Sequence, residues 1–374
     1  MRAPQFMNLS SGTDPHNRLL ENLKKKKIPG LDGLRGIAAL CVVGFHDQFF
    51  ANGKAGLMFP GRLAVQFFFV ISGLLITWLL LREEDKSGTI DRSEFYWRRA
   101  FRLLPPLMVL LLWQVITHLP AVSRGGTFAT VFYVANYYEL IRGSGALNGL
   151  GQTWSLAVEE HFYLIWPVLF FYVRNRRNLL RICLFVMGLQ LAWRMALGFY
   201  GKFVYAELAT ETASCAIFAG CALALLLWQS PERLPRLVLA RWMAPISLLA
   251  IFGLAQLPRN AQLWWAVPLA IPFAAVLILQ AIAYEWRVLE NPIGRFLGRI
   301  SYGIYLWGMV AITIAQRVGL DRGHVVVFAL VIALASVSYF LVERPAQVIG
   351  RKWLNRRKEW KLRLGMGSQP AMGD

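Results

Sequence analysis

Apolar runs of membrane-spanning length recur along almost the whole chain, and charged residues fall between them. No other feature constrains the fold as strongly. A helix that crosses the hydrocarbon core needs about 20 mostly apolar residues, within a range near 17 to 25. Ten segments qualify, or come close: 34–50, 63–81, 103–119, 155–173, 178–198, 213–229, 243–257, 263–283, 300–318 and 325–342. The stretch 243–257 is the shortest. A further apolar stretch, Phe128–Leu140, is too short to span and reads as an interfacial or re-entrant piece. The predicted fold class is all-α, a polytopic membrane helical bundle of about ten transmembrane helices. Composition agrees: 56% of residues are hydrophobic and 16% charged, where a soluble domain carries about 25% charged.

The formal charge of +19 invites a nucleic-acid reading, because basic stripes neutralise phosphates. The pattern argues against one. The basic residues form short clusters between apolar runs, where membrane proteins place cytoplasmic loops. With the N-terminus inside and ten alternating spans, 31 of the 40 Lys and Arg fall on the inner side and 8 on the outer, with Arg194 inside a span. One span more or fewer would invert every later loop and blur that contrast. Both termini are therefore expected in the cytoplasm, with the chain in the cell's inner (plasma) membrane. The expected organisation is a cytoplasmic segment 1–27, a membrane domain 28–346 and a basic tail 347–374 that loses order after Lys361. No cleavable signal peptide is read, since the first apolar run follows Lys24–Lys27 without a small-residue cleavage site. Cys41, Cys183, Cys215 and Cys221 all lie in apolar runs without a CxxC pair. They read as small buried hydrophobes, with no metal or disulfide framework implied.

Three stretches carry chemistry. In "GLDGLRGIAALCVVGFHDQFF", Arg35 and His46 stand eleven positions apart on the first span. At about 100° per residue this is about three turns plus 20°, so both share one stripe, about 16 Å apart along the axis. Ionisable residues within a span usually face the bundle interior. The plain alternatives are a snorkelling inner-side charge for Arg35 and a headgroup-level polar residue for His46. Asp47 follows directly, but adjacent helix residues do not face each other, so it is not expected to orient the imidazole. In "FYWRRAFRLLPP", Arg99 and Arg102 are i,i+3 neighbours whose guanidiniums can converge, an arrangement suited to phosphate. Pro105 and Pro106 fit the first turn of the following span. The alternative is an ordinary cytoplasmic charge cluster. In "GQTWSLAVEEHFYLIWP", Glu159, Glu160 and His161 enter lipid in the first turns of a helix. If Ser155 is the N-cap, a capping box would need an acid at Val158, so capping does not explain Glu159. The helix dipole accounts better for Glu160.

Together these place a cationic inner mouth of Arg35, Arg99 and Arg102 below an interior His46 and Glu159. That suits a polyanionic donor with a long arm ending in a reactive group, as in an acyl-CoA.

The motifs "IPGLDGLRGIAALCVVGFH", "QFFFVISGLLIT", "FYWRRAFRLLPP", "TWSLAVEEHFYLIWP", "SYGIYLW" and "VERPA" occur in that order over residues 28–346. In this the chain resembles the acyltransferase-3 family of integral-membrane O-acyltransferases. The resemblance implies transfer of an acyl group, most simply acetyl, from cytoplasmic acyl-CoA to a hydroxyl of a sugar or glycan such as lipopolysaccharide or exopolysaccharide. It implies no metal. The family's essential Arg-x10-His motif falls on Arg35 and His46, its paired arginines on Arg99 and Arg102, and its WSLxxE pattern on Trp154, Ser155, Leu156 and Glu159. Two departures are Gln66, where many members carry an acid, and Gly308, where many carry His; catalysis is not assigned to that late helix. Some relatives carry a fused esterase-like domain, and none is read here.

On this reading His46 is a general base or a covalent acyl carrier. Glu159 orients the ring or stabilises the imidazolium, and Arg35, Arg99 and Arg102 hold CoA phosphates. Trp154, Ser155 and Tyr163 line the acceptor side, although Trp and Tyr at an interface are more often belt residues. Expected partners are the lipid bilayer, acyl-CoA and a glycan or other hydroxylated acceptor. Oligomeric state stays open. The same chemistry on a small molecule such as a macrolide is the alternative. A proton-coupled transporter is a remoter one, because no paired Gly/Pro-interrupted half-repeats are visible. A purely structural scaffold would leave His46 and Glu159 without a reason.

Overall fold

A computed structural model describes residues 14–25, 27–50, 58–88, 91–117, 123–320 and 324–363. The expected loss of order at the end of the tail falls on residues 364–374, outside these. Eighteen α-helices follow in order: α1 (Pro15–Lys24), α2 (Leu31–Phe50), α3 (Gly61–Ser87), α4 (Arg92–Thr117), α5 (Arg124–Val131), α6 (Ala135–Arg142), α7 (Thr153–Tyr172), α8 (Arg176–Phe199), α9 (Phe203–Leu208), α10 (Thr210–Ala213), α11 (Cys215–Gln229), α12 (Met243–Ala255), α13 (Arg259–Ala261), α14 (Val267–Tyr284), α15 (Arg287–Glu290), α16 (Pro292–Arg317), α17 (His324–Ser338) and α18 (Arg344–Arg363). Two π-turns, Gln262–Ala266 and Tyr339–Glu343, join α13 to α14 and α17 to α18. No strand occurs among the described residues.

Six described stretches are long and apolar enough to cross a membrane: α3, α4, α8, Arg259–Tyr284, α16 and His324–Trp360. α11 and α12 are apolar but shorter. The chain is a multi-pass membrane protein. Two of the six, α3 and α16, are 78% buried over their apolar windows, while α4 and α8 are only 28% buried. The exposed faces of the peripheral helices carry Leu112 and Ile116 on α4, Phe185 and Leu189 on α8, and Leu249 on α12. Apolar surface of this extent has no place in water and suits lipid.

Small residues bring the central helices together. A Cβ on Gly73 would sit 1.9 Å from the Ile217 carbonyl oxygen, and one on Gly220 would sit 2.1 Å from that of Val70. α3 and α11 therefore cross backbone to backbone, a packing that glycine permits in membranes. α2 and α16 run side by side in the same direction: Gly298 abuts Asp32, and Gly308 abuts Val43. α4 and α7 run antiparallel, since Tyr96 Oη donates to Leu164 O at 3.0 Å and Arg92 stacks on Phe171.

Local signals set several helix starts. Asn175 caps α8 by accepting from Arg177 N at 3.0 Å, and Asn291 caps α16 with Pro292 in its first turn. The weak stretch Phe128–Leu140 becomes parts of α5 and α6, hinged where Tyr133 adopts φ +55°. Neither helix is long enough to cross.

Two local expectations differ. Pro105 and Pro106 do not open a helix: α4 starts at Arg92 and runs through both. Interior prolines remove helical donors, and membrane helices tolerate them where neighbours supply polar groups. Tyr302 Oη of α16 donates to Leu103 O at 2.9 Å, next to the Phe101 and Arg102 carbonyls that the prolines leave without a helical donor. Ser155 is not an N-cap, because α7 begins at Thr153 and Ser155 lies inside it, buried. Beyond residue 346, α18 continues to Arg363 and packs along α4.

Candidate active site

A cavity of about 970 Å³ opens at the end of the bundle where the C-terminal end of α3 and the start of α4 meet α18. Its wall draws on six helices. Arg35 comes from α2, Ser72 from α3, Arg98, Arg99 and Arg102 from α4, Ser155, Glu159 and Tyr163 from α7, Tyr302 and Tyr305 from α16, and Lys358 from α18. Arg35, Arg99, Arg102, Glu159, Ser155 and Tyr163, chosen from sequence alone, thus share one chamber.

Their states differ. Arg99 is already engaged. Its Nε lies 2.8 Å and a terminal nitrogen 2.7 Å from Glu160 Oε1, and its guanidinium stacks 3.0 Å from the Tyr163 ring centroid. Antiparallel packing of α4 and α7 brings this pair together across 61 residues of chain. Glu160, read from sequence as a dipole-favoured acid, is the ion partner of the first arginine. Arg35 and Arg102 behave otherwise. They act on each other electrostatically, with Glu343 as the opposing charge, and neither has a hydrogen bond or ion pair among the described residues. Two like guanidiniums held together in a concave site raise the local potential for an anion.

Glu159 faces the cavity and accepts a hydrogen bond from Ser72 Oγ at 2.7 Å. Tyr305 Oη donates to Gln152 O at 2.7 Å and shares a hydrogen bond with Ser155 Oγ. The deep wall is therefore hydroxyl-rich, with one carboxylate. Trp154 is off the lining and packs edge-on against Phe69 at 6.2 Å.

His46 is also off the lining. Its half-buried ring lies edge-on to Phe45, within electrostatic reach of Arg62. It makes no hydrogen bond among the described residues, so Glu159 does not orient it in this conformation. The register explains the separation. With Asp32 beside Gly298 and Val43 beside Gly308, Tyr305 lies level with about residue 40 of α2. His46 sits about six residues further on, ~9 Å along the axis. Phe68 and Tyr305, with ring centroids 6.1 Å apart, stand at that end of the cavity.

As expected, Asp47 does not serve His46; it bonds His324 Nδ1 at the start of α17. Sequence reasoning missed that pair, and also Ser72, Tyr305, Glu343 and Lys358 as site residues. Ser72 and Glu343 stand inside motifs that had been recognised, but nothing in their spacing declared a partner. Among the described residues no group of three His, Cys, Asp or Glu could hold a metal ion. Three of the four cysteines are buried, and all are free.

The profile of the acyltransferase domain, acyltransferase-3, matches residues 28–343. The chain belongs to this family. Among its relatives, YrhL of Bacillus subtilis, named as a candidate peptidoglycan O-acetyltransferase, is 32% identical over 89% of the chain and 58% of the relative. The peptidoglycan O-acetyltransferase OatA of Listeria monocytogenes is 30% identical over 87% and 57%. The candidate O-acetyltransferase SACOL0978 of Staphylococcus aureus is 29% identical over 90% and 60%. The chain thus spans less than two thirds of the length of these relatives. No solved structure matches it. Every motif that places a residue on the cavity, apart from Lys358, lies inside the matched acyltransferase domain.

Proposed function

We propose that the protein is a membrane O-acyltransferase that moves an acetyl group from acetyl-CoA to a hydroxyl of a cell-wall or other surface glycan. Peptidoglycan is the first acceptor to try, because the Listeria monocytogenes relative is named a peptidoglycan O-acetyltransferase. The observation that carries the reading is the Arg35–Arg102 pair, two cations without a bonded counter-ion among the described residues, in one chamber with the Ser72–Glu159 contact. Phosphates at the guanidinium end would leave the pantetheine arm pointing at the hydroxyl-rich wall.

In this reading ten helices alternate across the plasma membrane: α2, α3, α4, α7, α8, α11, α12, α14, α16 and α17. The basic end and both termini face the cytoplasm, supported by the charge distribution and by the paired directions of α2 with α16 and of α4 with α7. The donor enters from the basic end and the acceptor from the opposite end, beside His46. The acceptor hydroxyl attacks the thioester carbonyl. Its proton passes to the His46 imidazole, the C–O bond forms, the C–S bond breaks, and the CoA thiolate takes up the proton. Positioned proton transfer of this kind gives about 10²- to 10⁴-fold. The Phe68–Tyr305 end of the cavity must open for the two substrates to meet.

The test is purified protein in lipid nanodiscs with labelled acetyl-CoA and, separately, peptidoglycan fragments, a polysaccharide and a macrolide. Label appearing on one hydroxylated acceptor supports the reading and identifies the acceptor. Binding of acetyl-CoA with no transfer to any of them, or no binding at all, ends it.

A further inference from the structure

α18 lies beyond the matched family domain, yet it is docked firmly at the cavity mouth. A Cβ on Gly350 would meet the Phe101 ring at 2.6 Å, Trp353 packs on Trp97 with centroids 4.9 Å apart, and Leu354 is buried. Arg357 donates to Ser93 Oγ at 2.7 Å. One residue further, Lys358 lines the cavity and reaches Glu94 Oε2 at 2.6 Å. The same carboxylate takes Arg98 at 3.0 Å. Arg98 also reaches Glu83 Oε2 at 3.6 Å, so the ion-paired cluster is two acids and two cations, and the ammonium of Lys358 keeps capacity for an anion because it has three donors, of which Glu94 occupies one.

We propose that Lys358 is a donor-binding residue, holding a phosphate of acyl-CoA at the mouth while Glu94 keeps its ammonium in place. This rests on the acyl-CoA reading above. A compact ammonium suits a phosphate as a point charge. Its position is fixed by aromatic docking of α18 on α4, so its contribution is one of recognition. It also makes the helix that follows the acyltransferase domain a part of the donor site.

The experiment measures equilibrium binding of CoA to the full chain in neutral-lipid nanodiscs, for wild type, Lys358→Ala, Lys358→Arg and Arg351→Ala. Arg351 is an exposed cation of the same helix that, among the described residues, bonds only the Gln347 carbonyl one turn back, and it lies off the cavity. Lys358→Ala should weaken CoA binding roughly 3- to 10-fold. Lys358→Arg should retain most of the affinity, and Arg351→Ala should match wild type. Unchanged CoA binding in Lys358→Ala, with wild type binding normally, overturns the role of Lys358 and leaves the donor reading standing. An equal loss in Arg351→Ala also overturns it, by making the effect one of general helix charge. Repeating the series with anionic lipid separates a headgroup from the nucleotide: a Lys358 effect seen only there assigns the residue to lipid and overturns the proposal. No CoA binding by wild type would remove the donor reading, and this proposal with it.

Discussion

Arg99 of α4 is held by Glu160 of α7 through two contacts of 2.8 and 2.7 Å, while Arg102, one turn along the same helix, has no such partner among the described residues. Two arginines of one motif are thereby given different tasks. Arg99 ties two antiparallel helices together over the Tyr163 ring, and Arg102 is left, with Arg35, as a cation facing the chamber.

The first prediction separates those tasks. Arg35→Ala and Arg102→Ala should raise KM for acetyl-CoA and leave thermal stability near wild type. Arg99→Ala should lower stability by about 1–3 kcal/mol, because it strands the partly buried Glu160 carboxylate. Donor titrations with thermal unfolding in detergent measure both. Equal destabilisation by all three substitutions would refute the division.

A second prediction follows from the position of His46 outside the cavity wall. His46→Ala should cut acyl transfer by about 10²- to 10⁴-fold while CoA binding stays at the wild-type value. A parallel fall in CoA affinity would put the imidazole at the donor site.

A third concerns Asp47 and His324, which join the outer half of α2 to the start of α17 one residue from His46. His324→Ala should free the end of α2 and lower kcat several-fold with little change in KM for the donor. Asp47→Ala should give the same result, and the double variant should be no worse than either, since coupled residues are not additive. Additive losses would show that the two side chains act separately.

The fourth is structural. Arg194 of α8 is buried and donates to three carbonyl oxygens: Trp264 at 2.9 Å, Ala206 at 2.7 Å and Leu263 at 2.6 Å. Two of these belong to the π-turn Gln262–Ala266, and π-turns are sites of irregular helical bonding. Arg194→Met should destabilise by about 3 kcal/mol or more, since each buried acceptor left unmade costs about 1–3 kcal/mol. Arg194→Lys should fail to restore stability, because an ammonium cannot reproduce the planar fork. Thermal unfolding decides it; a fully rescued lysine variant would show that charge alone matters.

Hydropathy and charge spacing alone determined that the chain is a helical membrane bundle with a basic end. Motif order named the family, and the i,i+3 spacing of Arg99 and Arg102 placed two guanidiniums on one helix face. These are legible because they depend on residues close in sequence or on simple counts. Tertiary structure alone decided which arginine is spent on Glu160, that Ser72 rather than His46 holds Glu159, that Asp47 belongs to His324, and that Lys358 reaches the mouth from a helix read as a tail. Those partners lie 61, 87, 277 and 264 residues apart for Arg99–Glu160, Ser72–Glu159, Asp47–His324 and the Ser93–Arg357 contact that docks α18. Their meeting depends on the register of one helix against another, which close glycine contacts such as Gly73 on Ile217 and Gly298 on Asp32 fix to within a fraction of a turn. Such a register is a property of surfaces in contact, and no local pattern in either strip of sequence encodes it.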